Sequence, residues 1–243
     1  MPGVIDPVIM RITFRAAMSR KRALLFAVPA VILIGIAGLL KATQPAATQW
    51  PGTFLGTFGF SVVLPLTALI IGTSVLGAEI DDGSIIHLLA TPVRRSSVVF
   101  SKFAVAVALT VAFAAVPEFA AGLLATGGAT KLAAGIFAGA LAAAVIYNAI
   151  FVMVSVLTTR AIALGLLYLL VWEGLLANLV SGASELSAGQ YSLGIANGIA
   201  RDPNLNARLS LTTAVIMGAI VTVVALALAV RALSSFSLKG DAA

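Results

Sequence analysis

The chain has 243 residues, 60% of them hydrophobic and 10% charged, with a formal net charge of +6 and no cysteine. Soluble domains carry charge on roughly a quarter of their residues, so a water-soluble globular fold is excluded and a membrane protein is expected. The lack of cysteine excludes thiol redox chemistry, disulfide staples and cysteine metal ligands.

The stretch DPVIMRITFRAAMSRKR places Asp6 to cap a helix and Pro7 at its favoured first position. Val8, Ile9, Ile12 and Ala16 fall on one face, and Arg11, Arg15 and Ser19 on another. Residues 1–22 are therefore expected to form a cytoplasmic interfacial helix, an elbow that anchors on anionic lipid or also touches a cytoplasmic partner.

A bilayer core of about 30 Å takes about 20 apolar residues per helix. Six such runs follow, at 23–40, 54–76, 103–125, 132–157, 161–180 and 209–230. None alternates as a barrel strand does, so the expected fold class is an all-α membrane protein: six transmembrane helices in one domain, 1–243. The first run exceeds the usual apolar core of a signal peptide and is expected to stay as a span. With the N-terminus inside, eleven Lys and Arg lie on the inner side and only Lys41, Lys131, Arg201 and Arg208 lie outside. Basic residues are retained in the cytoplasm, so both termini are expected there. Topology thus accounts for the positive charge, and no nucleic-acid partner is expected. Gly135 and Gly139 of GIFAG permit a close helix contact, within a subunit or between two.

Between the second and third runs lies GAEIDDGSIIHLLATPVRRSSVVFSK, 77–102, with three of the nine acids, three of the fifteen bases and the only histidine. Asp81 or Asp82 can cap a short helix, Ile85, Ile86, Leu88 and Leu89 form its apolar face, and Pro92 ends it at Thr91. One to two turns cannot stand alone, so the segment is expected to lie along the membrane. His87 has no second histidine with which to share a metal.

Two acids sit inside apolar runs, Glu118 and Glu173, each at an insertion cost of about 2.5 to 3.5 kcal/mol. Both lie roughly 10 to 12 Å below the outer surface at the helical rise. Pro117 is expected to kink its helix and free a carbonyl beside Glu118. Two roles stand side by side. The carboxylates line a translocation path for a cationic or polar substrate, with Trp172, Asn178, Tyr147 and Asn148 nearby, or each is protonated or hydrogen-bonded for packing. The external connection 181–208 is broken by glycines but holds Leu186, Tyr191, Leu193, Ile195 and Ile199, and is expected as a structured loop or a lid.

Glu79, Gly83, the Leu88 and Leu89 pair, Pro92, Arg95 and Lys102 have a spacing that resembles the loop between spans two and three of the ABC-2 type transporter permeases. These are bacterial membrane subunits with six spans and both ends inside. Ser101 departs from the pattern, where relatives often have glycine. The resemblance implies that 78–102 holds a coupling helix seated on a separate ABC ATPase subunit. The coupling residues would be Glu79, Gly83, Ile85, Ile86, Leu88, Leu89, Pro92, Arg94, Arg95 and Lys102. It further implies an exporter in the bacterial plasma membrane, working as a homodimer or with a paralogue among membrane lipids. The chain has no G-x-x-x-x-G-K-[S/T] loop, so it is not expected to be an enzyme or to bind a cofactor, and ATP and Mg are expected on the partner ATPase. The alternative is a secondary transporter driven by a proton or ion gradient through Glu118 and Glu173, although no internal repeat is visible. An intramembrane enzyme is disfavoured, since no histidine pair, cysteine or serine–lysine constellation lies within the runs.

Overall fold

The computed structural model describes residues 5–44, 49–81, 94–128, 130–179 and 182–235, and every regular element among them is helical. Helix α1 (Pro7–Ala17) starts where the sequence places it, with the Asp6 carboxylate accepting from the amides of Val8 and Ile9. Its buried stripe is Ile9, Thr13 and Ala17, whereas Val8 and Ile12 stay exposed. The face expected to be uniformly apolar is thus divided between the bundle and the surroundings. Helix α2 (Arg20–Thr43) turns Phe26, Leu33 and Ala37 inward and leaves Leu24, Val28 and Val31 uncovered.

Helix α3 (50–81) and helix α4 (Arg95–Thr126) each change winding midway. Leu55–Val63 and Val111–Ala115 are π-helical, with the Leu64 amide bonded to Gly59 O and the Val116 amide to Val111 O, five residues back. Each π stretch ends two residues before a proline, Pro65 or Pro117. A proline lacks the N–H that would bond the carbonyl four residues earlier, and widening the turn re-pairs the neighbouring groups. The kink expected at Pro117 takes this form.

Helix α5 (Lys131–Leu157) is the hub, buried against α3, α4 and the two last helices. Helix α6 (161–179) corresponds to the fifth apolar run and is also part π-helical, at Tyr168–Leu176. Five helices are long and apolar enough to cross a membrane, while Ala161–Leu176 is shorter. With Ala177–Leu179 the whole of α6, seven, nine and three residues, reaches about 28 Å at an α-helical rise, close to a bilayer core of about 30 Å.

The connection 181–208 is not the glycine-broken loop its composition suggests. It contains α7 (Ala188–Ala200), which buries Tyr191, Ser192, Leu193 and Ala196 inside the bundle before α8 (Leu211–Ser235). Gly135 and Gly139 of α5 make this possible. A Cβ on Gly135 would strike Ala196 O, and one on Gly139 would come within 2.6 Å of Ser192 O. On the other side, a Cβ on Gly194 would lie 2.7 Å from Ala214 Cβ of α8. The glycine pair therefore serves contact within the chain. Two core clusters result, one around α7 with Phe60, Tyr147 and Phe151, the other at the opposite end with Ile9, Val75, Val99 and Leu233.

Candidate functional site

Glu173 sits in the π-helical part of α6, and its carboxylate is surrounded by donors. Oε1 accepts from Tyr168 Oη at 2.7 Å and from the Ala188 amide at 2.8 Å. Oε2 accepts from Ser187 Oγ and from the Gly189 amide at 3.4 Å. Ser187 is the N-cap of α7, and its hydroxyl also accepts from the Gln190 amide at 3.1 Å. Free amides and the positive end of the helix dipole make a helix N-terminus favourable to a carboxylate. Glu173 is therefore bound to the first turn of α7. Trp172 adds a second tie, its Nε1 donating to Leu186 O at 3.2 Å.

Glu118 is in the opposite situation. It is fully buried in α4, and neither carboxylate oxygen has a hydrogen-bond partner among the described residues. It presses on Gly59 in the π stretch of α3, where a Cβ would lie 3.0 Å from Oε1. The structure does not bring the two acids to one site. Glu173 lines a cavity of about 370 Å³ with Phe60, Ser61, Tyr147, Leu169 and Gly189, and Glu118 is not in its wall. Thr57 and Ser61 are shared with a second, more polar cleft of about 560 Å³ that reaches Gln190, Asn206 and Arg208. These hydroxyls, four residues apart in an apolar run, escaped the sequence analysis. Their spacing was the available signal.

Of the other path candidates, Tyr147 joins Glu173 at the cavity and stacks on Phe151 with ring centroids 5.9 Å apart. Asn148 faces elsewhere. Its Nδ2 donates to Thr110 Oγ1 at 2.8 Å and to Ala144 O at 2.7 Å, and its Oδ1 has no partner among the described residues. The Asn178 side chain lies outside the described residues, as do Gly83, Ile85, Ile86, His87, Leu88, Leu89 and Pro92 of the charged segment. Glu79 is helical in α3, its side chain likewise outside the description, and Asp81, a candidate cap for the next segment, is itself the last residue of α3.

The roots of that segment are described, and they hold the bundle together. Lys102 is not a surface residue: it is 1% exposed, and its Nζ donates to Val75 O at 2.7 Å, pinning α4 to α3. Arg95 Nη1 donates to Leu233 O at 2.6 Å and Ser234 O at 3.0 Å, so it satisfies carbonyls at the end of α8. A cation there also complements the helix dipole. Ser101 Oγ accepts from the Asp6 amide at 2.8 Å, tying α4 to the start of α1. Glycine would not supply that acceptor. Arg94, at the N-cap of α4, remains exposed.

The charged segment thus sits on a root tied to α1, α3 and α8 at one end of an all-helical, multi-pass bundle. A family profile, described as an ABC-2 family transporter protein, matches residues 18–182. No curated protein matches the chain. The profile takes in the first five apolar runs together with the motif-bearing segment, and the chain belongs to the ABC-2 family of transporter proteins.

Proposed function

We propose that this chain is the permease subunit of an ATP-driven ABC-2 exporter in a bacterial plasma membrane. It has six spans with both termini cytoplasmic, the helix at 161–179 being the fifth. Two permease copies, or this chain and a paralogue, enclose the path, and separate ATPase subunits bearing ATP and Mg dock on 78–102. The family match across that segment carries the proposal. The ties at its root supply a mechanism. A push on 82–93 is delivered through Lys102 to α3, through Arg95 to α8 and through Ser101 to α1. Three helices then move with one contact.

The half-covered state of α6 supports pairing. Apart from Ala161, Gly165, Leu169 and Ala177 it buries little, although it carries Trp172 and Glu173. Its exposed Leu164, Leu167, Leu170 and Leu175 offer a second permease subunit an apolar face to cover. A gradient-driven carrier requires carboxylates free to exchange protons with water; Glu118 is fully buried, and Glu173, half-buried at its cavity, is already engaged by Tyr168, Ser187 and two amides of α7.

The test is affinity capture of the tagged chain from gently solubilised native membranes, wild type against a Leu88→Asp, Leu89→Asp double variant. An ATPase recovered with wild type and lost from an equally expressed variant supports the proposal. No ATPase with wild type rejects it. Arg95→Ala, which leaves the apolar docking face intact, is expected to retain the ATPase while losing transport-coupled ATP hydrolysis.

A further inference from the structure

A cavity of about 600 Å³ opens where the start of α2, the middle of α3 and the turn from α5 to α6 meet. This lies within the usual size of small-molecule sites, about 300 to 1,000 Å³. Its wall divides by chemistry. Leu25, Phe26, Ile70 and Leu166 make an apolar floor, and Arg22, Arg160, Thr158 and Thr159 make a polar rim. No acidic residue is in the lining among the described residues. The deeper hydroxyls are already spent, Thr73 on Leu69 O at 2.6 Å and Ser74 on Ile71 O at 2.8 Å. The rim cations are not. Among the described residues Arg22 reaches only Ala16 O, at a long 3.5 Å, and the Arg160 guanidinium has no partner.

We infer that this cavity binds one anionic phospholipid, its phosphate between Arg22 and Arg160 and its acyl chains along the floor. Two cations at one rim with no acid beside them among the described residues call for an anion, and guanidinium is the group best matched to phosphate. A free phosphate satisfies the rim but leaves the floor wet. An amphiphile satisfies both. Leu25 and Ile162 are more than half exposed where the chains would leave the cavity. Arg22 and Arg160 both lie on the side that the basic-residue count makes cytoplasmic, which assigns the lipid to the inner leaflet, where anionic headgroups concentrate. The site holds for any membrane function of the chain and does not depend on an ATPase partner.

The purified full-length chain in detergent is titrated with phosphatidylglycerol or phosphatidylcholine of identical acyl chains, and bound lipid is counted by native mass spectrometry. One phosphatidylglycerol is expected to be held in preference to phosphatidylcholine. An Arg22→Gln, Arg160→Gln double variant should hold it roughly 30-fold less tightly, at about 1 kcal/mol per basic residue. Arg22→Lys with Arg160→Lys should retain most of the preference, and Arg231→Gln all of it. Both arginines are exposed, so circular dichroism should find helix content unchanged. Equal retention of the two lipids, undiminished retention by the double Gln variant, or equal loss in Arg231→Gln overturns the inference. So does full competition by glycerophosphoglycerol without acyl chains, which marks a plain anion site.

Discussion

Glu118 and Glu173 look alike in the sequence: single acids in apolar runs, each in the C-terminal half of its run. Their surroundings differ as far as two carboxylates can. Glu173 accepts from two hydroxyls and two amides and holds the first turn of α7, while Glu118 is fully buried with no hydrogen-bond partner among the described residues. Depth fixes the cost of burying an acid. What offsets that cost depends on which backbone arrives beside it.

The sharpest way to break the contrast is Glu173→Ala. Removing the acceptor strands Tyr168, Ser187 and the opening amides of α7 together, with an expected loss of about 3–5 kcal/mol. Thermal melting in detergent should fall steeply, and Glu173→Gln should recover part of the loss.

Next is Gly135→Leu, which leaves the acid intact but wedges α7 away from α5. Overpacking of this kind costs about 1–3 kcal/mol. Hydrogen exchange at 188–200 should rise, leaving Glu173 with Tyr168 of its own helix and without the α7 amides. If exchange there stays at the wild-type rate, the glycine contact is not what seats α7.

Tyr168→Phe removes one of the four donors described around Glu173. A hydrogen bond to a charged group contributes about 1.5–3 kcal/mol, so the loss should sit near the lower figure and well below that of Glu173→Ala. Equal losses would mean that Tyr168 alone carries the network.

The smallest effect is expected at the other acid. Glu118→Gln takes away a carboxylate with no partner among the described residues, and melting should stay within about 1 kcal/mol of wild type or rise. A large drop would show that Glu118 has a partner after all. Loss of transport with unchanged melting would give it a functional role that Glu173 lacks.

Much of the fold was legible in local chemistry. The cap of α1 was readable from Asp6 and Pro7, and five of the six apolar runs became helices long enough to span. The family was legible in the spacing from Glu79 to Lys102. Helix α7 was not, because its glycines were taken as breaks. They are the places where neighbours approach, and a glycine read alone does not say whether it loosens a chain or admits another. Lys102 was likewise placed among the coupling residues by the resemblance, and it lies in the core with Val75 O as an acceptor.

The sequence by itself determined that this is a helical membrane protein, where its apolar runs fall and which segment carries the charge. Those properties reside in contiguous residues and in the roughly 20-residue demand of a bilayer. Only the tertiary structure decided which acid is paired. The amides that meet Glu173 lie 15 and 16 residues further along the chain, and a carboxylate finds donors that distant only once α5, α7 and α8 have packed closely enough to place them.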